Sequence, residues 1–239
     1  MTKRATASLG IGALLLAGLL AGCGGDDDGG SGDKGFADQS YDEIEAAALE
    51  AMDSLEAVHV AADVESEGQS VTLDISMSAD GNCAGNVSFG EVSAELLQAD
   101  GEAWFKPSPE LLAQQVGDQA AAVAEFVGDS WVVDTKGEVT PSNCDLESFI
   151  DQLSDDEAET NTEVAGVEEL DGEEVVRLDY TNAEGDGRAY IRTDGDHYIV
   201  KIEIEGDEPG TVMFSEFDEK VGTEAPADDE IVDLADFQS

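Results

Sequence analysis

The chain has 239 residues, of which 57 are acidic and 10 are lysine or arginine, so its formal charge is −47. This excess of carboxylates excludes binding to nucleic acid, or to the head groups of an anionic membrane, through bulk electrostatics. About 200 residues follow the first 39, which is long enough for one domain with a substantial core.

The first residues have the layout of an export signal. Lys3 and Arg4 precede an apolar run over residues 9–21, and the run ends in the letters LAGC at Cys23, which match the lipobox of bacterial lipoproteins. Because the run is too short for a typical membrane span and ends in small residues, we predict a lipoprotein signal peptide over residues 1–22. The Cys23 thiol would then accept the lipid. An uncleaved anchor with an incidental cysteine is the alternative.

Residues 23–39 predict a lipidated cysteine followed by a flexible acidic tether, since glycine, aspartate and serine dominate the stretch. Removing residues 1–22 takes away Lys3 and Arg4 but no acid, so the mature chain is more acidic still. The sequence contains no second long apolar run. We therefore expect the protein to contact the cell membrane through the acyl anchor on Cys23, on the extracytoplasmic side.

Two cysteines remain, Cys83 and Cys144. An even pair in an oxidising compartment favours one disulfide, which would close a loop of 61 residues. A reactive thiol or a metal ligand is the alternative. Neither cysteine belongs to a CxxC motif, and the chain has two histidines, so the disulfide is the preferred interpretation.

From residue 40 onward the pattern is first helical and then typical of strands. Residues 40–43 (SYDE) form a capping box, and apolar residues recur at helical spacing up to Leu55. Alternating apolar residues then predict five strands, near residues 58–65, 71–77, 83–89, 92–98 and 102–106. Strands joined by such short turns form an antiparallel meander with one apolar and one polar face.

The middle of the chain predicts two helices. Ser108 and Pro109 begin the first, whose apolar face continues to Val127, and Asn143 caps the second after a short strand at 131–134. Five further strands are predicted near residues 161–169, 173–180, 188–193, 197–205 and 211–217. The acidic tail is expected to dock apolar residues on a sheet edge: Ile231, Val232, Leu234 and Phe237.

These elements predict an α+β fold over residues 40–239. It consists of a single, highly curved antiparallel sheet of about 11 strands, a half-barrel, with helices packed across its concave side. The acidic tail belongs to the same domain.

Several motifs resemble those of the actinobacterial cell-envelope lipoproteins of the LppX/LprG type and, more distantly, the periplasmic lipoprotein carrier LolA. Besides the lipobox at Cys23, the residues that carry the likeness are 81–89 (GNCAGNVSF), 94–96 (AEL), 100–107 (DGEAWFKP) and 143–146 (NCDL). The resemblance implies a half-barrel with helices across its open side and an apolar cavity that binds lipids or lipoglycans. The chain departs from this group in its acidity and in its few large aromatic residues.

The apolar faces of the clearest strands supply the candidate cavity residues: Val71, Leu73, Ile75, Tyr198, Val200 and Ile202. The alternative is that these side chains fill an ordinary core between the sheet and the helices. Sequence periodicity alone does not distinguish these two interpretations.

Residues for catalysis or metal binding do not stand out. His59 and His197 lie on the polar phase of separate predicted strands, and HExxH, GxSxG and P-loop spacings are absent from the sequence. Asn182, Glu184 and Asp186 are spaced as in a calcium loop, but Thr193 occupies the position that requires a bidentate glutamate, so a hairpin turn is preferred over a weak cation site.

We therefore predict a protein that is not an enzyme and needs no cofactor or metal. It would be anchored by lipid in the cell envelope and would bind or carry a hydrophobic ligand, such as a lipid or lipoglycan. An envelope sensor or regulatory module, and a structural surface lipoprotein with a filled core, are the alternatives.

Overall fold

A computed structural model of the protein describes residues 35–134, 144–154, 161–182, 185–206 and 208–233. The predicted signal peptide, Cys23 and most of the predicted tether lie outside these residues. Within the described ranges, no helix is both long enough and apolar enough to cross a membrane.

The described strands form one sheet with the order β12-β6-β5-β4-β3-β2-β1-β11-β10-β9-β8-β7. Two antiparallel meanders, β1 to β6 and β7 to β11, are joined side by side through β1 and β11. The single curved, mostly antiparallel sheet predicted from the sequence is confirmed. In chain order the strands are β1 Ala57–Ser66, β2 Gln69–Ser78, β3 Cys83–Phe89, β4 Val92–Ala99, β5 Glu102–Pro107, β6 Trp131–Val133, β7 Asn161–Leu170, β8 Glu173–Thr181, β9 Asp186–Arg192, β10 Ile199–Ile204, β11 Gly210–Ser215 and β12 Ile231–Val232.

The twelfth strand comes from the acidic tail, which adds one strand to the predicted number. β12 pairs in parallel with the edge strand β6, through Ile231 opposite Trp131 and Val232 opposite Val132. Ile231 also packs against a small apolar cluster that contains Trp104 and Trp131. Burial of this aliphatic side chain therefore holds the tail on the edge. Leu234 and Phe237 lie outside the described residues.

Four α-helices occur in the described part of the chain: α1 Tyr41–Asp53, α2 Pro109–Val116, α3 Ala120–Val127 and α4 Leu146–Ser154. The predicted capping box begins α1, because the Ser40 backbone N–H donates to Glu43 at 3.0 Å. The buried face of α1 joins the main core with residues of α2, α3 and α4, and those of α1 are Tyr41, Ile44, Ala48 and Met52.

The prediction of one continuous helix from Pro109 to Val127 is wrong. Gly117 has a φ of 56°, in the left-handed region, and this ends α2. A 3₁₀ turn, Gly117–Gln119, separates α2 from α3. The apolar spacing misled the prediction because Val116 and Val123 are two helical turns apart, so they share a face whether or not the helix is interrupted. Glycine adopts this backbone conformation with little steric cost.

Helix α4 begins later than predicted. Its cap is Asp145, whose carboxylate accepts the Ser148 backbone N–H at 3.0 Å, and this bond lowers the pKa of Asp145. Asn143, the predicted cap, lies outside the described residues. The ring of Phe149 lies 6.2 Å from that of Phe214 on β11, which places α4 against the middle of the sheet.

A disulfide joins β3 to the start of α4. The sulfurs of Cys83 and Cys144 are bonded, their Cα atoms are 5.4 Å apart, and both residues are buried. The bond therefore fixes the first turn of α4 to the sheet.

Replacing both Cys83 and Cys144 with alanine should lower the free energy of unfolding by roughly 4 kcal/mol, because the bridge restricts a 61-residue loop of the unfolded chain. Urea unfolding of the mature chain, residues 23–239 with Cys23→Ala, measures this loss. The parent should show no free thiol after denaturation without reductant. Two free thiols in the chain that keeps Cys83 and Cys144 would contradict the disulfide. An equal free energy of unfolding with and without the two cysteines would contradict its stabilising role.

Candidate ligand-binding face

One row of residues crosses the concave face at right angles to the strands, and every member is apolar. Each member is the cross-strand partner of the next. The row crosses ten adjacent strands, which are, from one edge of the sheet, β7, β8, β9, β10, β11, β1, β2, β3, β4 and β5. At about 4.8 Å between strands the row follows a path of roughly 45 Å. We call it the middle row: Val164, Leu178, Ala189, Ile202, Val212, Ala62, Leu73, Val87, Ala94 and Pro107.

A second row lies on one side of the middle row and is closely packed. Its members belong to the main core with the buried faces of the helices, except Gly85, which stands opposite Ile75. Ile75 and Val60 have no exposed surface. We call this the packed row: Val132, Phe105, Leu96, Gly85, Ile75, Val60 and Phe214. The helices therefore bury this part of the concave face.

A third row lies on the other side, next to the hairpin tips. The members are apolar or glycine, and Phe89 is 41% exposed. We call it the tip row: Tyr180, Gly187, Ile204, Gly210, Val64, Val71, Phe89 and Val92. A Cβ on Gly210 would collide with a methyl carbon of Val64, so glycine is required for this close approach of two strands.

Burial falls along the central strands from the packed row to the tips. On β2, Ile75 is fully buried, Leu73 and Val71 are half-buried, and Gln69 is exposed. β1 shows the same gradient from Val60 to Val64. The middle and tip rows together, which we call the apolar band, are thus apolar in composition but largely half-buried. A continuous apolar surface of this kind is typical of a ligand site or an interface.

The structure divides the six predicted cavity residues among three environments. Val71, Leu73 and Ile202 lie on the apolar band. Ile75 belongs to the packed row and is part of the filled core. Tyr198 precedes β10 and is buried in the main core, where its hydroxyl donates to Asp218 at 2.8 Å and its ring stacks on Phe217 at 4.5 Å. Burial and the hydrogen bond raise the pKa of Tyr198 to about 12.

The assignment of Val200 to the cavity is wrong, because its side chain packs on the opposite, convex face with Val175 and Tyr190. The pairing of β10 with β9 shifts by one residue between Ile199 and Lys201, which is a β-bulge. A bulge reverses the alternation on either side of it. The signal in the sequence is the unbroken apolar run at residues 198–200, which strict alternation does not allow.

Several residues of the apolar band were not among the predicted cavity residues, although apolar and polar residues alternate clearly on their strands. Val87 alternates with Asn86 and Ser88, and Val212 follows Thr211 on β11. Both residues pack against the main core at its half-buried edge. Their role depends on pairing between strands that are far apart in sequence, which a single strand's pattern does not contain.

The convex face carries the charged side chains of the same strands. Glu203 interacts there with Lys201 at 2.6 Å, with the Tyr190 hydroxyl at 2.8 Å and with Arg188 at 3.3 Å. These partners lower the pKa of Glu203 to about 2, with the Lys201 hydrogen bond as the largest contribution. Burial, followed by the Glu203 hydrogen bond, raises the pKa of Tyr190 to about 12. This network belongs to the fold and lies away from the apolar band.

Neither histidine lies on the apolar band. His59 lies on the convex phase of β1, with Nδ1 3.1 Å from the Ser76 hydroxyl. His197 precedes β10 and stacks on Phe36, with ring centroids 3.6 Å apart.

Asn182 closes a hairpin turn with Gly185, by hydrogen bonds of 2.9 and 3.1 Å, and Glu184 lies outside the described residues. Within the described ranges, no group of three or more histidine, cysteine, aspartate or glutamate side chains is positioned to hold a metal ion.

Two larger clefts lie beside the apolar band, and they share with it one residue, Pro107, which lines the second cleft. One, of about 540 Å³, lies beside the disulfide and is lined by Asp53, Gln98 and Glu147 as well as by apolar residues. The other, of about 520 Å³, lies between the α2–α3 segment and strands β4 and β5, and its lining includes Lys106 and Asp129. Because charged side chains line both clefts, each fits an acyl chain less well than the band does.

Comparison with solved structures identifies the architecture. The chain superposes on lipoprotein LppX of Mycobacterium tuberculosis with a TM-score of 0.50 and 17% identity, over 76% of this chain and 96% of LppX. The chain has the LppX fold. LprF of Mycobacterium bovis gives a TM-score of 0.49 with 15% identity, over 77% of this chain and 96% of LprF. A LolA superfamily protein of Nitrosomonas europaea gives 0.24 with 12% identity, over 80% and 96% of the two chains.

No family model matches the sequence, and no curated protein matches it either. The superposition on LppX nevertheless confirms the LppX-type architecture that the sequence motifs implied, at low sequence identity.

Replacing Glu203 with glutamine should destabilise the protein at pH 7 by roughly 2 kcal/mol, less than the full pKa shift implies because the side chain is 24% exposed. The pKa of Glu203 is lower in the folded chain than in the unfolded chain. Its stabilisation is therefore present above about pH 4.5 and is lost as the pH falls towards 2.

Between pH 7 and pH 3, the free energy of unfolding of the Glu203→Gln variant, measured with urea, should change less with pH than that of the unsubstituted protein. Glu205→Gln is the matched control, since Glu205 is half exposed and should change stability by less than about 0.5 kcal/mol. Equal effects of the two substitutions would contradict the role given to the network.

Proposed function

We propose that this protein is a non-enzymatic, lipid-anchored protein of the cell envelope, and that it carries or presents a hydrophobic ligand on the apolar band. The observation behind the proposal is the middle row, in which ten apolar residues on ten adjacent strands form one continuous surface. Helices bury the neighbouring packed row, whereas most of the middle row is half-buried.

The distribution of burial supports a ligand-binding face over a filled core. In a filled core the middle row would be buried as completely as the packed row, yet Val87, Leu73, Ala62, Val212 and Ile202 are half-buried. Apolar surface that remains open to water contributes nothing to the stability of the isolated fold, and its burial by a ligand would favour binding by about 25 cal/mol per Å². An acyl chain is the ligand that matches a long surface without charged groups.

The anchor is the second part of the proposal. The lipobox sequence ending at Cys23 supports attachment of a lipid there, and the glycine- and aspartate-rich residues that follow suit a tether. Acyl chains on Cys23 would keep the band close to a membrane, where lipids are available. The membrane is thus proposed as the partner of the anchor and as a source of ligand.

Replacing Ile202 with tryptophan should abolish binding of a fluorescent, uncharged diacylglycerol and should cost less than about 1 kcal/mol of stability, because the half-buried middle row has room for added volume. Ile75→Trp is the matched control in the packed row, where overpacking should cost roughly 1–3 kcal/mol. Lipid titration and urea unfolding of both variants of the mature chain separate the two rows. If Ile202→Trp destabilises as much as Ile75→Trp and the parent binds no lipid, the band is part of a filled core.

Replacing Cys23 with alanine should release the protein from the membrane in the cells that produce it, since the acyl chains would be lost. Fractionation followed by immunodetection measures the partition between membrane and soluble fractions. Cys83→Ala is the control, because it removes a cysteine without removing the anchor. A Cys23→Ala protein that still sediments with membranes would overturn the anchor.

A further inference from the structure

Four hairpin tips lie side by side along the open edge of the apolar band. The Gly90 N–H in the β3–β4 tip donates to Ser70 of the β1–β2 tip at 2.8 Å. The Glu67 N–H in the β1–β2 tip donates to the Glu208 carboxylate of the β10–β11 tip at 2.8 Å. The Glu205 N–H of that tip donates to the Asp186 carbonyl of the β8–β9 tip at 2.7 Å. These contacts form a continuous rim next to the tip row.

The rim is strongly acidic. The described residues of its four segments, 65–70, 89–92, 182 with 185–186, and 205–206 with 208–209, include six aspartates and glutamates and no lysine, arginine or histidine. Among the described carboxylates of the rim, all are exposed: Glu65, Glu67, Glu91, Asp186, Glu205 and Glu208. Arg188 lies on the convex phase of β9 but reaches one end of the rim. It pairs there with Glu205 at 2.7 Å and lines a small cleft together with Asp186 and Gly187.

Positive charge is concentrated on the other face of the same strands. Arg177, Arg188, Arg192 and Lys201 alternate with concave residues of β8, β9 and β10, and each pairs with a nearby carboxylate. The apolar band itself consists of apolar residues and glycine. A ligand whose chain lies on the band would thus place its head group beside the rim carboxylates, and the cation that reaches the rim, Arg188, is already paired with Glu203 and Glu205.

We propose that the ligand of the apolar band is a lipid whose head group carries no negative charge. This inference rests on the proposed function and adds the chemical class of the ligand. A phosphate or carboxylate at the rim would be repelled by these carboxylates. Among the described residues, the guanidinium that reaches the rim is that of Arg188, which Glu203 and Glu205 already pair with, so it is poorly placed to replace the lost hydration of an anion. An uncharged head group has no such cost, and its hydroxyl groups can donate to the carboxylates of the rim.

The size of the discrimination follows from Coulomb's law. One carboxylate about 10 Å from an anionic head group weakens binding about twofold in unscreened water, so four together weaken it about 16-fold, which the screening at low salt reduces to about tenfold. Because the interaction is screened over roughly 8–10 Å at physiological salt, the preference should fall to about threefold or less at high salt.

The test uses the mature chain, residues 23–239 with Cys23→Ala, and two fluorescent lipids with identical acyl chains, a diacylglycerol and a phosphatidylglycerol. The parent should bind the diacylglycerol about tenfold more tightly at low salt. The triple variant E67Q/E91Q/E208Q should reduce this ratio to about threefold or less, and the amide oxygen introduced by E208Q can still accept the Glu67 N–H. The control variant E56Q/E102Q/E169Q changes the same number of exposed carboxylates away from the rim and should leave the ratio unchanged.

The outcomes separate this inference from the proposed function. Equal binding of both lipids by the parent, a preference that persists in the rim variant, or one that is lost equally in the control would overturn the head-group inference while leaving the carrier function standing. A folded parent that binds neither lipid would overturn the carrier function and the inference together.

Discussion

Helix packing over half of a single sheet is the constraint on which the rest of this structure depends. A sheet with one apolar face must cover that face, and the described helices cover it along the packed row. The buried faces of α1 and α4 meet the sheet there, and the disulfide fixes the first turn of α4 to β3. The next two rows have the same composition but lie closer to the hairpin tips, where burial declines. The division between core and band is thus set by the extent of the helical layer.

The order of the strands within each meander, and the facing of most of them, were predictable because alternation and turn chemistry are local. Asp171-Gly172, with both residues at positive φ, joins β7 to β8, and the central strands keep strict alternation of apolar and polar residues. Prediction failed where a single residue changed the geometry. Gly117 interrupts a helix without disturbing its apolar spacing, and the bulge at Val200 reverses the phase of β10. Both depend on backbone conformations that residue type alone does not determine.

The candidate site was less predictable than the fold for a physical reason. Alternation indicates which side chains share a face, but whether a face is covered depends on the length and position of helices elsewhere in the chain. Ile75 and Leu73 are two residues apart on one strand and have the same character, yet Ile75 is fully buried and Leu73 is half-buried. The continuity of the middle row also needed pairing between β1 and β11, whose partners are separated by about 150 residues.

The most direct test of the division between the helix-covered core and the apolar band is nuclear magnetic resonance of the mature chain. The experiment uses labelled Ile, Leu and Val methyl groups and a bound diacylglycerol. Intermolecular Overhauser effects from the acyl chains should reach the methyl groups of Val71, Leu73, Ile202 and Val212 on the band. None should reach Ile75 in the packed row or Val175 and Val200 on the convex face. Contacts to Val175 and Val200, or to Leu146 and Ile150 beside the disulfide cleft, without contacts to the band would contradict the account.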